Sequence, residues 1–152
     1  MTNGDAEVRM YDDAVREAFR FLIEEFSFER VSSTLRTPEH RIIFENETTR
    51  VVISYEMGSA PWVELGKRTA PGERGERYDL RFLLMKRVPY EVPDISERAR
   101  HNEPVRPTVQ RLASLLRDNA SDILTGNFSI FPRLRVRAEE NLARTSAALY
   151  GN

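Results

Sequence analysis

The chain has 152 residues with no cysteine, 40% hydrophobic and 31% charged residues, and a formal net charge of −1. A chain of this size can bury about 70% of the surface its unfolded form exposes, so a single domain over residues 1–152 is expected, with no metal or disulfide staple. The absence of cysteine excludes disulfides, thiolate zinc sites and cysteine nucleophiles, and fits a reducing compartment.

The opening MTNGDAEVRM is polar and acidic, and no apolar run approaches the roughly 20 residues that span a bilayer. A cytoplasmic protein without membrane contact is therefore expected. The charge is unevenly placed: residues 1–65 carry 13 acids and 7 bases, residues 66–152 carry 11 acids and 16 bases. If the halves form different faces, the resulting dipole would orient a charged partner. Of the 23 basic residues 21 are arginines, a bias that GC-rich bacterial or phage codon usage explains without specific anion recognition.

From Tyr11 to Phe26 the apolar residues Tyr11, Val15, Ala18, Phe19, Leu22 and Phe26 recur at helical spacing, with Asp12, Asp13 and Glu17 toward the positive end of the dipole. The period then changes. FERVSSTL, HRIIFE, TRVVISYE and PWVEL are short, β-branched or aromatic, and are separated by turn-like RTPE, NET and MGSA, which predicts an antiparallel meander of about four strands. Ile42 and Phe44 share one face, as do Val51, Ile53 and Tyr55, and one face is expected to pack on the first helix.

GKRTAPGERGER, residues 66–77, has no apolar side chain larger than alanine and is expected to be a mobile loop. YDLRFLLMKRV reads as a short helix or a fifth strand, with the helix preferred. Prolines at 89, 93, 104 and 107 make residues 88–107 a proline-rich connecting arm. The helical period returns through Val109, Leu112, Leu115 and Leu116 and, less regularly, Ile123 and Leu124. Gly126 is expected to stop this helix, Ser129 to cap the next, and Pro132 to sit in its first turn. Phe128, Ile130 and Phe131 would clamp the corner, while Leu134, Ala138, Leu142 and Leu149 continue a stripe. The expected class is α+β: an N-terminal helix, the meander, then C-terminal helices.

Candidate chemistry is sparse. The two histidines, His40 and His101, stand in no metal-ligand spacing and read as surface residues. Neither a metal nor a cofactor is expected, and there is no GxSxG, Walker loop or dinucleotide fingerprint. Glu45, Glu47, Glu56 and Glu64 lie on or near the meander, where two could approach as a hydrolase or transferase pair or serve as ordinary solvent-facing acids. Arg133, Arg135 and Arg137 invite a nucleic-acid reading, but Arg135 with Glu139 and Glu140 with Arg144 stand at i and i+4, where they pair within a helix. Trp62, near Tyr55, is either the largest core residue under the first helix or an interface anchor.

The amphipathic helix, the short-strand meander and the helical corner ILTGNFSIFPRL resemble small cytosolic bacterial immunity-type proteins that accompany toxins, over Tyr11 to Leu65 and Thr108 to Leu142. The resemblance implies action by binding and carries no specific residue with it. The leading expectation is a non-enzymatic protein-binding module, an inhibitor-like partner of another, basic protein, contacted through Glu45, Glu47, Glu56, Trp62 and Glu64. A small hydrolase or transferase using clustered carboxylates or a histidine, and a nucleic-acid-binding regulator, are the alternatives.

Overall fold

The computed structural model describes residues 3–35, 39–56, 60–70, 73, 75–91 and 105–150. The helix expected over Tyr11–Phe26 is two helices, α1 (Asn3–Ala18) and α2 (Arg20–Phe26). They part at Phe19, whose φ of −98° and ψ of 13° leave the helical basin. This slip in period lets the adjacent Phe21 and Leu22 both be buried. Ser27 closes α2 in the left-handed region at φ 59°, its N–H donating to Leu22 O.

Five strands follow, β1 (Glu29–Leu35), β2 (Glu39–Glu45), β3 (Thr49–Glu56), β4 (Trp62–Lys67) and β5 (Arg77–Asp79). They pair antiparallel in sequence order as one meander. The sequence predicts about four strands; β5, at three residues, is too short for a period of two to declare itself. Both readings of YDLRFLLMKRV apply to successive pieces of it. Asp79 ends β5 and caps α3 (Leu80–Arg87), its carboxylate accepting from Arg81 N at 2.9 Å.

Period-two alternation divides the sheet cleanly. Ile42 and Phe44, Val51, Ile53 and Tyr55, Val63 and Leu65, and Tyr78 face inward and form one core with the helices. The first helix packs on this face as expected. Tyr11 is fully buried, stacks on Tyr55 at 4.9 Å between ring centroids, and donates its hydroxyl to Ile53 O at 2.7 Å. A backbone carbonyl inside the sheet thus gains a second acceptor bond from α1, which fixes the depth at which the helix sits.

After α3 a 3-10 turn covers Pro89–Glu91, and most of the predicted proline-rich arm, His101 included, lies outside the described residues. The next helix, α4 (Val105–Asn119), already contains Pro107, which its first turn tolerates. Ile123 and Leu124 belong to a separate short helix, α5 (Ser121–Leu124), which explains their irregular spacing. Arg87 at the end of α3 clamps this corner, reaching the two Asp122 oxygens at 2.8 and 2.6 Å. Gly126 stops the chain at φ 97°, as expected, and a Cβ there would stand 2.9 Å from Thr48 Cγ2.

The last helix, α6 (Phe131–Tyr150), begins too late for Ser129 to be its cap; Asn127 Oδ1 instead accepts the Ser129 N–H at 3.0 Å. Pro132 is in the first turn as predicted. Phe131 is buried and meets Tyr78 edge-on at 5.1 Å and Phe128 at 4.9 Å, with Ile130 partly buried beside the same core. The corner clamp is present. Leu134 is buried and Ala138 partly so, but residues 139–146 are exposed on every side of the helix. Leu142, expected to extend the stripe, is 67% exposed.

Tyr11→Phe keeps the ring and removes the bond to Ile53 O, and is expected to cost about 1–3 kcal/mol in denaturant unfolding with an unchanged slope. Arg87 holds the Asp122 carboxyl below its ordinary range, chiefly by hydrogen bonding and against the opposing effect of burial. A depressed carboxylate contributes stability above its unfolded value and loses it as pH falls through the folded one. Asp122→Asn is therefore expected to be less stable than the parent at neutral pH, with the gap closing below about pH 4, read by thermal unfolding across a pH series.

Candidate functional site

The register settles where the sequence-predicted contact residues lie. On the side of the sheet turned away from the helices, one row reads Arg41, Ser54, Trp62, the next Ile43, Val52, Glu64, Asp79, and the next Glu45, Arg50, Gly66, Arg77. Glu56 shares the parity of Ser54 and Arg50, so Glu45, Glu56, Trp62 and Glu64 belong to one outer face, while Glu47 stands in the β2–β3 turn. Trp62 is half-buried on that face and is not the core residue beneath α1. Tyr11 and the phenylalanines fill that space.

These acids do not form a catalytic pair. Glu45 is tied to Arg50 Nε at 2.6 Å, and Glu64 lies 3.4 Å from Arg77 Nε. His40 also departs from expectation. It is a core side chain at 2% exposure, on the inner parity of β2, with its ring stacked on Tyr55 at 6.2 Å. Both its ring nitrogens lack a hydrogen-bond partner among the described residues. The sequence misplaces it because TPEH reads as a turn, whereas Glu39 already opens the strand and alternation then turns residue 40 inward. Tyr55 hydrogen-bonds Glu7 of α1, and its hydroxyl is pushed well above the ordinary phenol range, first by burial and then by that carboxylate.

The arginines of the last helix are likewise dispersed. Arg135 does not pair with Glu139; it binds Glu76, ahead of β5. Arg137 reaches Met85 Sδ at 3.4 Å, and only Glu140 and Arg144 form the expected pair within the helix, at 3.9 Å. The binding of Arg135 also shows that residues 66–77 are tied down in part. Gly66 and Lys67 belong to β4 and Arg77 to β5, Arg68 N donates to Thr48 O at 2.8 Å, and Thr69 Oγ1 donates to Glu73 O at 3.1 Å.

The side chain that organises one end of the sheet is Asn46, which sequence reasoning passes over. Its amide nitrogen donates to Phe26 O at 3.0 Å and to Leu124 O at 2.9 Å, while its Oδ1 accepts from Thr48 N at 3.0 Å and Thr49 N at 2.8 Å. Phe26 and Leu124 are the last residues of α2 and α5, whose terminal carbonyls have no partner in their own helices. Thr49 Oγ1 adds a bond to Ile123 O at 2.7 Å. The only hint in the sequence is an asparagine in a turn.

Around this hub opens a cleft of about 640 Å³ in which Glu25, Glu29, Glu45 and Glu47 converge, with Arg68 the one basic lining residue. Glu25 is paired with Arg117 at 2.7 Å and Glu45 with Arg50. Glu29 and Glu47 are exposed and have no ion-pair partner among the described residues. Two of the predicted contact residues, Glu45 and Glu47, thus meet two that were not singled out, Glu25 and Glu29. They meet through the β1–β2 pairing, in which Glu29 stands opposite Glu45, and through Asn46, which ties the end of α2 to the β2–β3 turn. Among the described residues no group of three or more acids and histidines is placed to hold a metal ion, and no helix is long and apolar enough to cross a membrane.

Fold and site together define an α+β domain of helices packed on one face of an antiparallel meander, with an acidic cleft at one end of the sheet. Set against known protein families, curated proteins and solved structures, the chain finds no match in any of the three.

Asn46→Asp keeps the acceptor and replaces the donor with an oxygen facing two carbonyls. It is expected to lower stability by about 2–3 kcal/mol, with amide exchange at the ends of α2 and α5 accelerating more than in the central strands.

Proposed function

We propose that this chain is a protein-binding module whose acidic end cleft receives a basic segment of another protein. The observation that carries this reading is the convergence of Glu25, Glu29, Glu45 and Glu47 on one cleft with a single basic lining residue. Glu29 and Glu47 supply the uncompensated charge, while Glu25 and Glu45, braced by Arg117 and Arg50, shape the walls. Because Asn46 fixes both sides of the cleft, little ordering is left for binding to cost. A negative concavity raises the association rate of a basic partner and rejects acidic ones.

The resemblance to immunity-type proteins extends the proposal to an inhibitor of a basic bacterial partner in the cytoplasm, blocking it by occupancy. The half-buried Trp62 on the outer face offers a second anchor beside the cleft.

The test compares the parent with Glu29→Arg/Glu47→Arg. These side chains are exposed and form no ion pair among the described residues, so the variant should remain folded. A partner captured by the tagged parent from a host lysate is expected to associate with the variant about ten-fold more slowly at low salt, with a flatter salt dependence. Equal association rates for parent and variant would remove the acidic cleft from the interaction.

A further inference from the structure

The two edges of the meander are finished differently. β5 is three residues long, and α6 runs beside it, with Arg135 binding Glu76 immediately ahead of the strand. β1, at the other edge, has seven residues, and among the described residues no element except β2 packs closely along it. A strand paired on one side turns the N–H and C=O of alternate residues away from the sheet. Beyond the ladder to β2, no backbone group of residues 29–35 meets another backbone group among the described residues.

Exposed edges are ordinarily blunted with lysine, proline or a very short strand. The β1 sequence ERVSSTL has neither residue. Its one irregularity is a bulge near the start, where Val31 has no partner on β2 between Arg30, opposite Phe44, and Ser32, opposite Ile43. From Ser32 to Leu35 the register is unbroken. A bulge re-aims the residue it contains, and Val31 is 48% exposed on the same face as Glu29. The two charges of the strand stand together at its beginning and differ in availability. Arg30 is held by Asp12 at 2.5 Å, whereas Glu29 is exposed, has no ion-pair partner among the described residues and lines the acidic cleft. A chain laid along β1 therefore passes the cleft at Glu29.

We infer that the basic segment assigned to the cleft binds in extended form, as a sixth, antiparallel strand on the free edge of β1, with a cationic side chain opposite Glu29 and an apolar one beside Val31. This rests on the cleft reading above and adds to it how the segment is held. The main-chain bonds of an added strand supply affinity, and side chains at alternate positions supply selection. Directly opposed residues of an antiparallel pair stand about 5 Å apart at Cβ, which brings an arginine of the segment within reach of the Glu29 carboxylate. Glu45, opposite Glu29 on β2, is already bound to Arg50, so the incoming cation meets Glu29 without a competing base. A second copy of this chain fits the edge less well, because the one base of β1, Arg30, is committed to Asp12.

The test is calorimetric titration of the full chain, at one low ionic strength, with a capped octapeptide of alternating threonine and valine that ends in two arginines. Two further peptides carry N-methyl groups on alternate residues, one along each edge of the extended chain. The unmethylated peptide is expected to bind with a sub-millimolar Kd and to protect β1 amides from hydrogen exchange. Methylation of one edge should weaken it about ten-fold and methylation of the other should leave it unchanged, since only one edge meets β1. Glu29→Arg/Glu47→Arg is expected to weaken the unmethylated peptide about ten-fold as well. No binding at millimolar peptide, or equal effects of the two methylations, would overturn the proposal. Weakening by the charge reversal with no effect of either methylation would leave the cleft reading standing and remove the added strand. Weakening by one methylation with no effect of the charge reversal would remove the basic segment, and the cleft reading with it. Self-association of the protein without peptide, with protection of the β1 amides, would assign the edge to a second copy and overturn the proposal.

Discussion

Two helix ends and a β-turn meet at one amide group. Helix C-termini leave carbonyl oxygens without intrahelical partners, and burying them unpaired is costly. Asn46 answers the ends of α2 and α5 together, and its oxygen closes its own turn. The geometry tolerates little else: the hydroxyl of Thr49 must reach Ile123 O, and Gly126 must lack a side chain to pass Thr48. Much follows from this junction. It locates the corner from which α6 departs, and it brings Glu29 and Glu47, one on each side of β2, to the mouth of the same cleft.

The second constraint is that the sheet is covered on one side by helices. Inner positions are filled by aliphatic and aromatic residues in strict alternation, while the outer face is a lattice of arginine and glutamate punctuated by Trp62, Ile43 and Val52. Charged rows of this kind usually cancel. Here they cancel unevenly: carboxylates dominate at the β2–β3 turn, while along the strands Arg50 and Arg77 are matched by Glu45 and Glu64. Glu45 belongs to both, lining the acidic cleft while bracing Arg50 on the neighbouring strand.

Local pattern made the class of this fold legible. The spacing of Tyr11, Val15 and Leu22, the alternation of Val51, Ile53 and Tyr55, and the glycine stop at 126 each depend on neighbours a few residues away, and each is present. What the sequence obscured is non-local. His40 is buried because a strand begins one residue earlier than its turn-like flank suggests. Arg135 forgoes a carboxylate one helical turn away for Glu76, 59 positions distant in the chain, because α6 leaves the corner across β5. Of the site, Glu45 and Glu47 could be singled out because charge on a meander is visible in one dimension. Glu25 and Glu29 were not singled out, since their meeting with the turn depends on the β1–β2 register, which sets Glu29 opposite Glu45, and on the bond from Asn46 to Phe26 O.

Among the described residues, positions 139–146 of α6 have no such ties. Over residues 139–146 the side-chain bonds among the described residues run along the helix's own axis, as in Thr145 Oγ1 to Asn141 O at 2.9 Å, and the sides meet solvent. A helical stretch supported in this way unwinds in small steps instead of waiting for the whole molecule to open. The protein therefore carries two kinds of helical residue in one continuous element. Those before Ala138 report the global free energy, and those after it report only the cost of fraying. A substitution at an exposed position between residues 139 and 146 therefore changes local fraying without the core registering the change.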